Sequence, residues 1–242
     1  LANWTRALLP TPFVGAYLAL AQVALLAMAV MALIEFAPAP LAHGHNAGRP
    51  LAEIMRQPVF IVATVAAALG YVVMNLLMAA TPLAMQVCGF EFGDTALVLQ
   101  WHVIGMFAPG FFTGHLIRRF GALRIMGAGV VLNLLCVGIA LTGVALHQFL
   151  SALFLLGLGW NFLFTASTTL ALTACRPEEK DRAQAAINFC VFATMALTSF
   201  ASGALVTTQG WNWLNLGSLL PLALVGAALA WLGLRQGAAR PA

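Results

Sequence analysis

Residues 59–86 read VFIVATVAAALGYVVMNLLMAATPLAMQ, and no Asp, Glu, Lys or Arg interrupts them. A helix needs about 20 residues at 1.5 Å each to cross roughly 30 Å of hydrocarbon, and its backbone amides in lipid must be satisfied within the segment. This stretch meets both conditions. A strand of a closed barrel would alternate apolar and polar side chains over a short run, a pattern absent here. Outward from it, comparable stretches occupy 13–36, 95–116, 123–143, 150–174, 183–207 and 214–234. The sequence therefore predicts an all-α polytopic membrane protein with seven transmembrane helices. Composition agrees: 62% of the residues are hydrophobic and 7% charged, whereas soluble domains carry about a quarter charged residues.

Proline, glycine and charge mark the breaks. Pro38, Pro40 and Pro50 follow the first stretch, Gly89 and Gly93 the second, and Gly121 the third. Every gap is short except 37–58, the expected linker. All Lys and Arg residues but Arg6 fall in alternate gaps: 37–58, 118–124, 176–182 and the carboxyl tail. By the positive-inside rule that side is cytoplasmic, which places the amino end of this chain outside and its carboxyl end inside, in an inner membrane. Trp4, Trp101, Trp211 and Trp213 sit at or near the outer ends of spans, as an interfacial aromatic belt requires. An external amino end needs a signal or a preceding span, and residues 1–12 hold neither. The expectation is that earlier helices precede this chain in a longer protein.

Between the third and fourth stretches stands Gly114-His115-Leu116-Ile117-Arg118-Arg119-Phe120-Gly121-Ala122-Leu123-Arg124. Physically this is a tight turn with a guanidinium cluster that cannot enter the membrane and seeks carboxylates or helix carboxyl ends. Gly114, Leu116, Arg119, Phe120 and Gly121 match the signature Gly-x-Leu-x-Asp-Arg-x-Gly-Arg-Arg, and in this the chain resembles the major facilitator superfamily. Arg118 stands where the family has Asp, and Ala122 and Leu123 replace the basic pair. Residues 157–164 and 182–188 also look like the tenth and eleventh helices of bacterial transporters in that superfamily. The resemblance implies helices six to twelve of a twelve-helix carrier, its carboxyl-terminal portion. Residues 1–36 would end the amino-terminal bundle, 37–58 would be the cytoplasmic linker, and 59–242 the carboxyl-terminal six-helix bundle. In the family the signature Asp anchors a charge network that latches the inward gate, so here the latch rests on Arg119 alone or is absent. Gly114, Arg118, Arg119, Gly121 and Arg124 are the expected gating residues.

A transporter places hydrogen-bonding groups near the membrane midplane. Asn161, Thr165, Thr168 and Thr169 follow one helical face beside Trp160, a pattern that fits either a cavity lining or interhelical bonding. Asn75 is central in its span with Tyr71 one turn before it, Trp101 and His102 lie in the outer third of theirs, and Asn188 in the inner third of its own. The expected substrate pathway is therefore Asn75, Trp101, His102, Trp160, Asn161, Thr165 and Asn188. No Asp, Glu, Lys or Arg stands mid-span, so a proton carrier, if the cycle is proton-coupled, would lie in the missing helices. Gly110 and Gly114, with Pro109 beside them, form a small-xxx-small face suited to close packing or a kink. Cys88, Cys136, Cys175 and Cys190 lack metal-ligand spacing, and His43-Gly44-His45 reads as linker, so no metal or cofactor is expected.

These readings point to a secondary active transporter that moves a drug-like compound or metabolite, by export or uptake, through alternating access. Its expected partners are that solute, the lipid bilayer and the missing amino-terminal helices. A seven-helix receptor or sensor is the alternative, but the sole lysine, Lys180, lies in a loop and no retinal Schiff base can form within the bundle. Enzyme signatures are missing, and the basic residues are too dispersed for nucleic acid. Alone, the chain is expected to be an inactive part of a transporter.

Overall fold

The computed structural model describes residues 14–35 and 48–238. Trp4, Arg6, His43, His45 and the linker positions 37–47 lie outside them. Among the described residues the chain is helical, with α1 at Val14–Ala32, α2 at Leu51–Met55, α3 at Pro58–Val87, α4 at Phe92–Phe107 and α5 at Gly110–Phe120. Then come α6 at Ala122–Thr142, α7 at Leu146–Thr173, a single 3-10 turn at Pro177–Glu179 and α8 at Lys180–Ala238. Among the described residues five helical segments are long and apolar enough to cross a membrane, and α4 with α5, bent by 41° at their junction, makes a sixth if the pair is one broken span. The expected sixth span, 183–207, is helical throughout but is not one of these.

The chain divides into two units, residues 1–46 and 47–242. In the first, α1 is an apolar rod of 19 residues, about 28 Å at 1.5 Å per residue. In the second, the core forms two layers. One lies at the end that carries Arg118, Arg124 and Arg182, and holds Ile54, Phe60, Ile117, Met126, Leu163 and Ile187. The other holds Met85, Val98, Cys136, Phe149, Leu153 and Leu214. Tyr71 and Phe164 pack against both and so mark the waist of the bundle. Ile54 is fully buried, so the later part of the expected linker is folded onto the bundle.

Gly210 divides α8 into two limbs, with φ 80° and ψ 175°. Ala183, Ile187 and Val191 of the first limb share the basic-end layer with Val225, Leu229 and Leu232 of the second, whereas Leu214 and Leu222 belong to the far layer. The chain therefore reverses at Gly210. Gly121, at φ 86°, makes an equally short turn between α5 and α6, and its N–H caps α5 by donating to Ile117 O at 2.8 Å. Arg118 and Arg119 occupy the last turn of α5, where cations complement the helix dipole.

Helices in lipid gain nothing from burying one apolar face against another rather than against acyl chains, so close approach and dispersion hold them together. α7 is the pillar of this contact. A Cβ on Gly105 of α4 would lie 2.6 Å from Phe154 O, and one on Gly129 of α6 would lie 2.8 Å from Gly159 O. The backbone of Gly157 faces His102 and Met106 just as closely, and Gly70 of α3 leaves room only for Leu163. The small-xxx-small face expected at Gly110 and Gly114 is not where the backbones meet. A Cβ at Gly114 would meet nothing within 4 Å, and one at Gly110 only Asn161 Nδ2 at 3.9 Å. The kink expected beside Pro109 is present, as the α4–α5 bend.

Candidate functional site

The second unit exposes two kinds of helix face. On α6 the exposed large side chains are Val131, Leu134, Leu135 and Leu141, and on the second limb of α8 they include Leu216, Leu220, Leu224 and Leu234. Such aliphatic faces suit lipid. By contrast, α7 and the first limb of α8 leave polar side chains partly or fully exposed: Thr165, Thr168 and Thr169 on one, Gln184, Asn188, Thr194 and Thr198 on the other. Thr168 and Thr169 donate to carbonyls of their own helix, Phe164 O and Thr165 O, so the threonine stripe does not bond α7 to a neighbour.

At the waist this polar face meets an aromatic corner drawn from three helices. Trp160 and Phe164 of α7 stack, with ring planes 6° apart and centroids 5.3 Å apart. Tyr71 of α3 stands edge-on to both, at 5.1 Å from Trp160 and 5.2 Å from Phe164. Phe107, the last residue of α4, meets Trp160 at 6.5 Å with planes 70° apart. Offset and edge-to-face contacts are the favourable arrangements for rings, because each sets a positive edge against a negative face. Trp160 is 6% exposed and Phe107 64%, so the corner is closed at its root and open at its rim.

Asn161, next to Trp160, is buried and holds the bend between α4 and α5. Pro109 has no N–H, and the helical ladder stops with Ala108 N–H on Ile104 O and resumes with Thr113 N–H on Pro109 O. Met106 O, stranded by the break, accepts from Asn161 Nδ2 at 2.7 Å. Asn161 Oδ1 in turn accepts from Thr113 Oγ1 at 2.7 Å. One amide thus satisfies a freed carbonyl above the break and a hydroxyl below it, the kind of repair that lets a spanning helix tolerate proline.

The other expected pathway residues are distributed along the bundle. Asn75 is buried one turn from Tyr71 and donates from Nδ2 to Ser199 Oγ at 2.8 Å, tying α3 to α8. His102 is fully buried on the α4–α7 seam, where Nδ1 lies 2.7 Å from Leu153 O; a carbonyl can only accept, so Nδ1 carries the proton. Among the described residues its Nε2 has no partner, and neither has the Trp160 indole N–H. Trp101, on the far side of that seam, packs edge-on to Phe154 at 6.1 Å and lines an open apolar hollow with His147 and Leu150. Asn188 is half-buried and bonded within its own helix to Gln184 at 3.0 Å. The structure therefore brings Trp160, Asn161 and Thr165 together with Tyr71, Phe107 and Phe164, places Asn75 beside them, and sets Trp101, His102 and Asn188 elsewhere. Gly114, Arg118, Arg119 and Arg124 are exposed at the basic end, where Arg119 lies over the neighbouring Phe120 ring at 5.3 Å. Among the described residues none of the three arginines forms a salt bridge, and no three His, Cys, Asp or Glu converge on a metal position.

A clasp at the basic end was not legible in the sequence. Glu179, fully buried, takes the Arg49 guanidinium at 2.7 Å and 3.0 Å and the Arg49 backbone N–H at 2.8 Å. It also accepts the backbone N–H of Arg176 at 2.9 Å. Arg49 adds a bond to Ala174 O at 3.0 Å, where Gln57 also donates at 3.2 Å. The Arg49 side chain chiefly, with the two backbone donors, holds the Glu179 carboxyl well below the usual carboxylate range against the opposing effect of burial.

The long apolar helices are those of a multi-pass membrane protein, and comparison with known proteins gives the family. A family model described as Major Facilitator Superfamily matches residues 7–196 and 96–241. The chain is 40% identical over 221 residues to the riboflavin transporter RfnT of Brucella anthropi, an alignment that covers 89% of this chain and 55% of the relative. It is 29% identical to YdeG and 27% identical to YddS, two uncharacterized MFS-type transporters of Bacillus subtilis, over 68% of this chain and 39% and 38% of theirs. This chain belongs to the Major Facilitator Superfamily, a family of multi-pass membrane transporters rather than enzymes. It spans about half the length, or less, of the curated relatives it matches.

Proposed function

We propose that this protein is part of a secondary active transporter that moves riboflavin, or a solute built on the same flavin ring, by alternating access. The observation that carries the reading is the 40% identity to a riboflavin transporter over 89% of the chain. The mixed aromatic and polar waist supports it, because a carrier needs its solute contacts at mid-depth and its aliphatic faces toward lipid. Residues 59–242 act as one of two rocking bundles, 1–36 as the last helix of the other, and 37–58 as the connection between them. The basic end faces the cytoplasm of an inner-membrane protein, in keeping with the distribution of Lys and Arg. Arg118, Arg119 and Arg124 act there as the gating face.

The test is uptake of labelled riboflavin by the complete protein in reconstituted vesicles. Saturable uptake above that of protein-free vesicles is expected, and collapsing an imposed proton gradient reads out coupling. Uptake no greater than the blank would overturn the flavin reading.

A further inference from the structure

Resting on that flavin reading, we infer that Tyr71, Phe107, Trp160 and Phe164 form the ring-binding platform, on which a planar heteroaromatic solute lies between exposed aromatic edges at the waist of the bundle. Three independent features of the structure lead there.

The first is depth. Tyr71 and Phe164 touch both core layers, so the corner sits midway between the basic end and the far end, the level at which carriers hold their solute. The second is composition of the face. Exposed aromatic rings occur elsewhere on the same unit, Phe111 and Phe189 among them, but at this corner rings from three helices run into the half-exposed hydroxyls of Thr165 and Thr168. A large ring with polar edges needs that pairing of apolar face and hydroxyl rim. The third is unused aromatic surface. Among the described residues Phe107 makes a single ring contact, to Trp160, and remains 64% exposed, and Tyr71 is also part-exposed, so the rings are not consumed by packing on one another. A further donor is in reserve, the buried Trp160 indole N–H, which has no acceptor among the described residues.

The platform adjoins the Asn161 joint, since Trp160 and Asn161 are consecutive and Phe107 follows Met106, whose carbonyl Asn161 holds. A ring that presses on Phe107 and Trp160 therefore bears on the α4–α5 bend, beyond which lies the basic turn at 118–124.

The experiment is riboflavin uptake by the complete protein in vesicles, with flavin fluorescence as a second readout. Aromatic stacking on a heterocyclic ring contributes enough that loss of one side chain weakens binding about 5- to 150-fold. Phe107→Leu and Tyr71→Leu are expected to raise the riboflavin concentration for half-maximal uptake within that range. Trp213→Leu, exposed on the second limb of α8, leaves it unchanged. Trp160→Phe keeps a ring at the closed root of the corner, where the indole is 6% exposed, and is expected to change the half-maximal concentration less than Phe107→Leu does. Phe107 is exposed enough that its replacement leaves folding intact. Wild-type uptake with Phe107→Leu and Tyr71→Leu both within twofold of it overturns the platform and leaves the flavin reading standing. No uptake by the wild type removes both.

Discussion

Replacing Asn161 with Ala tests whether one amide holds the broken span together. The substitution deletes the donor to Met106 O and the acceptor for Thr113 Oγ1, each a 2.7 Å bond. The two losses are unequal. The Thr113 hydroxyl retains Pro109 O at 2.8 Å, so it stays paired at little cost. Among the described residues Met106 O has no such second partner, because at the bend the Gly110 N–H does not reach it. Interhelical hydrogen bonds in membranes contribute about 0.6 kcal/mol on average, and a buried carbonyl left unpaired costs about 1–3 kcal/mol. The sum is about 2 kcal/mol, roughly a thirtyfold shift toward the unfolded state. Denaturant unfolding of the purified protein in micelles, followed by tryptophan fluorescence, measures it. Thr113→Val should cost about 1 kcal/mol or less and combine non-additively with Asn161→Ala, because the two share a bond. If Asn161→Ala unfolds within 0.5 kcal/mol of wild type and adds independently to Thr113→Val, with both arms near the ordinary scatter of surface changes, the repair account is wrong.

Two further predictions address packing and the clasp. Gly159→Val sets a branched side chain against Gly129 O and Asn133 Nδ2 and should cost about 3 kcal/mol or prevent assembly, whereas Gly127→Ala in open space should be neutral or stabilising by up to about 1 kcal/mol; thermal unfolding of both variants in the same detergent decides. Glu179 has its folded pKa lowered from 4.5, so its contribution is complete above that value and is lost only as pH falls through the depressed one. Alkylation of Cys175, in a variant keeping only that thiol, should therefore report a clasp closed from neutral pH down to about 5 in the wild type and loosened throughout that range in Glu179→Gln.

The spans were legible because a bilayer imposes a long uncharged stretch that few other constraints imitate, and the bend at Pro109 because a missing N–H is written in the residue type. What the sequence hid was partnership. Gly110 and Gly114 have the spacing of a packing face, but spacing does not name the helix opposite, and the close approaches fall at Gly105, Gly129, Gly157 and Gly159 instead. Asn161 reads as a mid-span amide whether it lines a path or repairs a backbone, and only the position of Met106 O distinguishes them. Nothing in the local sequence singles out Phe107 or Phe164 as a site residue, and only the packing of three helices sets their rings around Trp160. Arg49 and Glu179 are 130 residues apart, beyond any local pattern.

The hairpin at Gly210 leaves no slack. One residue at φ 80° carries the whole reversal, so the rotational phase of everything after it is inherited from a single dihedral pair rather than adjusted by a loop. Adding or deleting one residue just downstream turns the returning limb by about 100° and would swing Val225, Leu229 and Leu232 out toward the acyl chains. Length here is as tightly specified as chemistry.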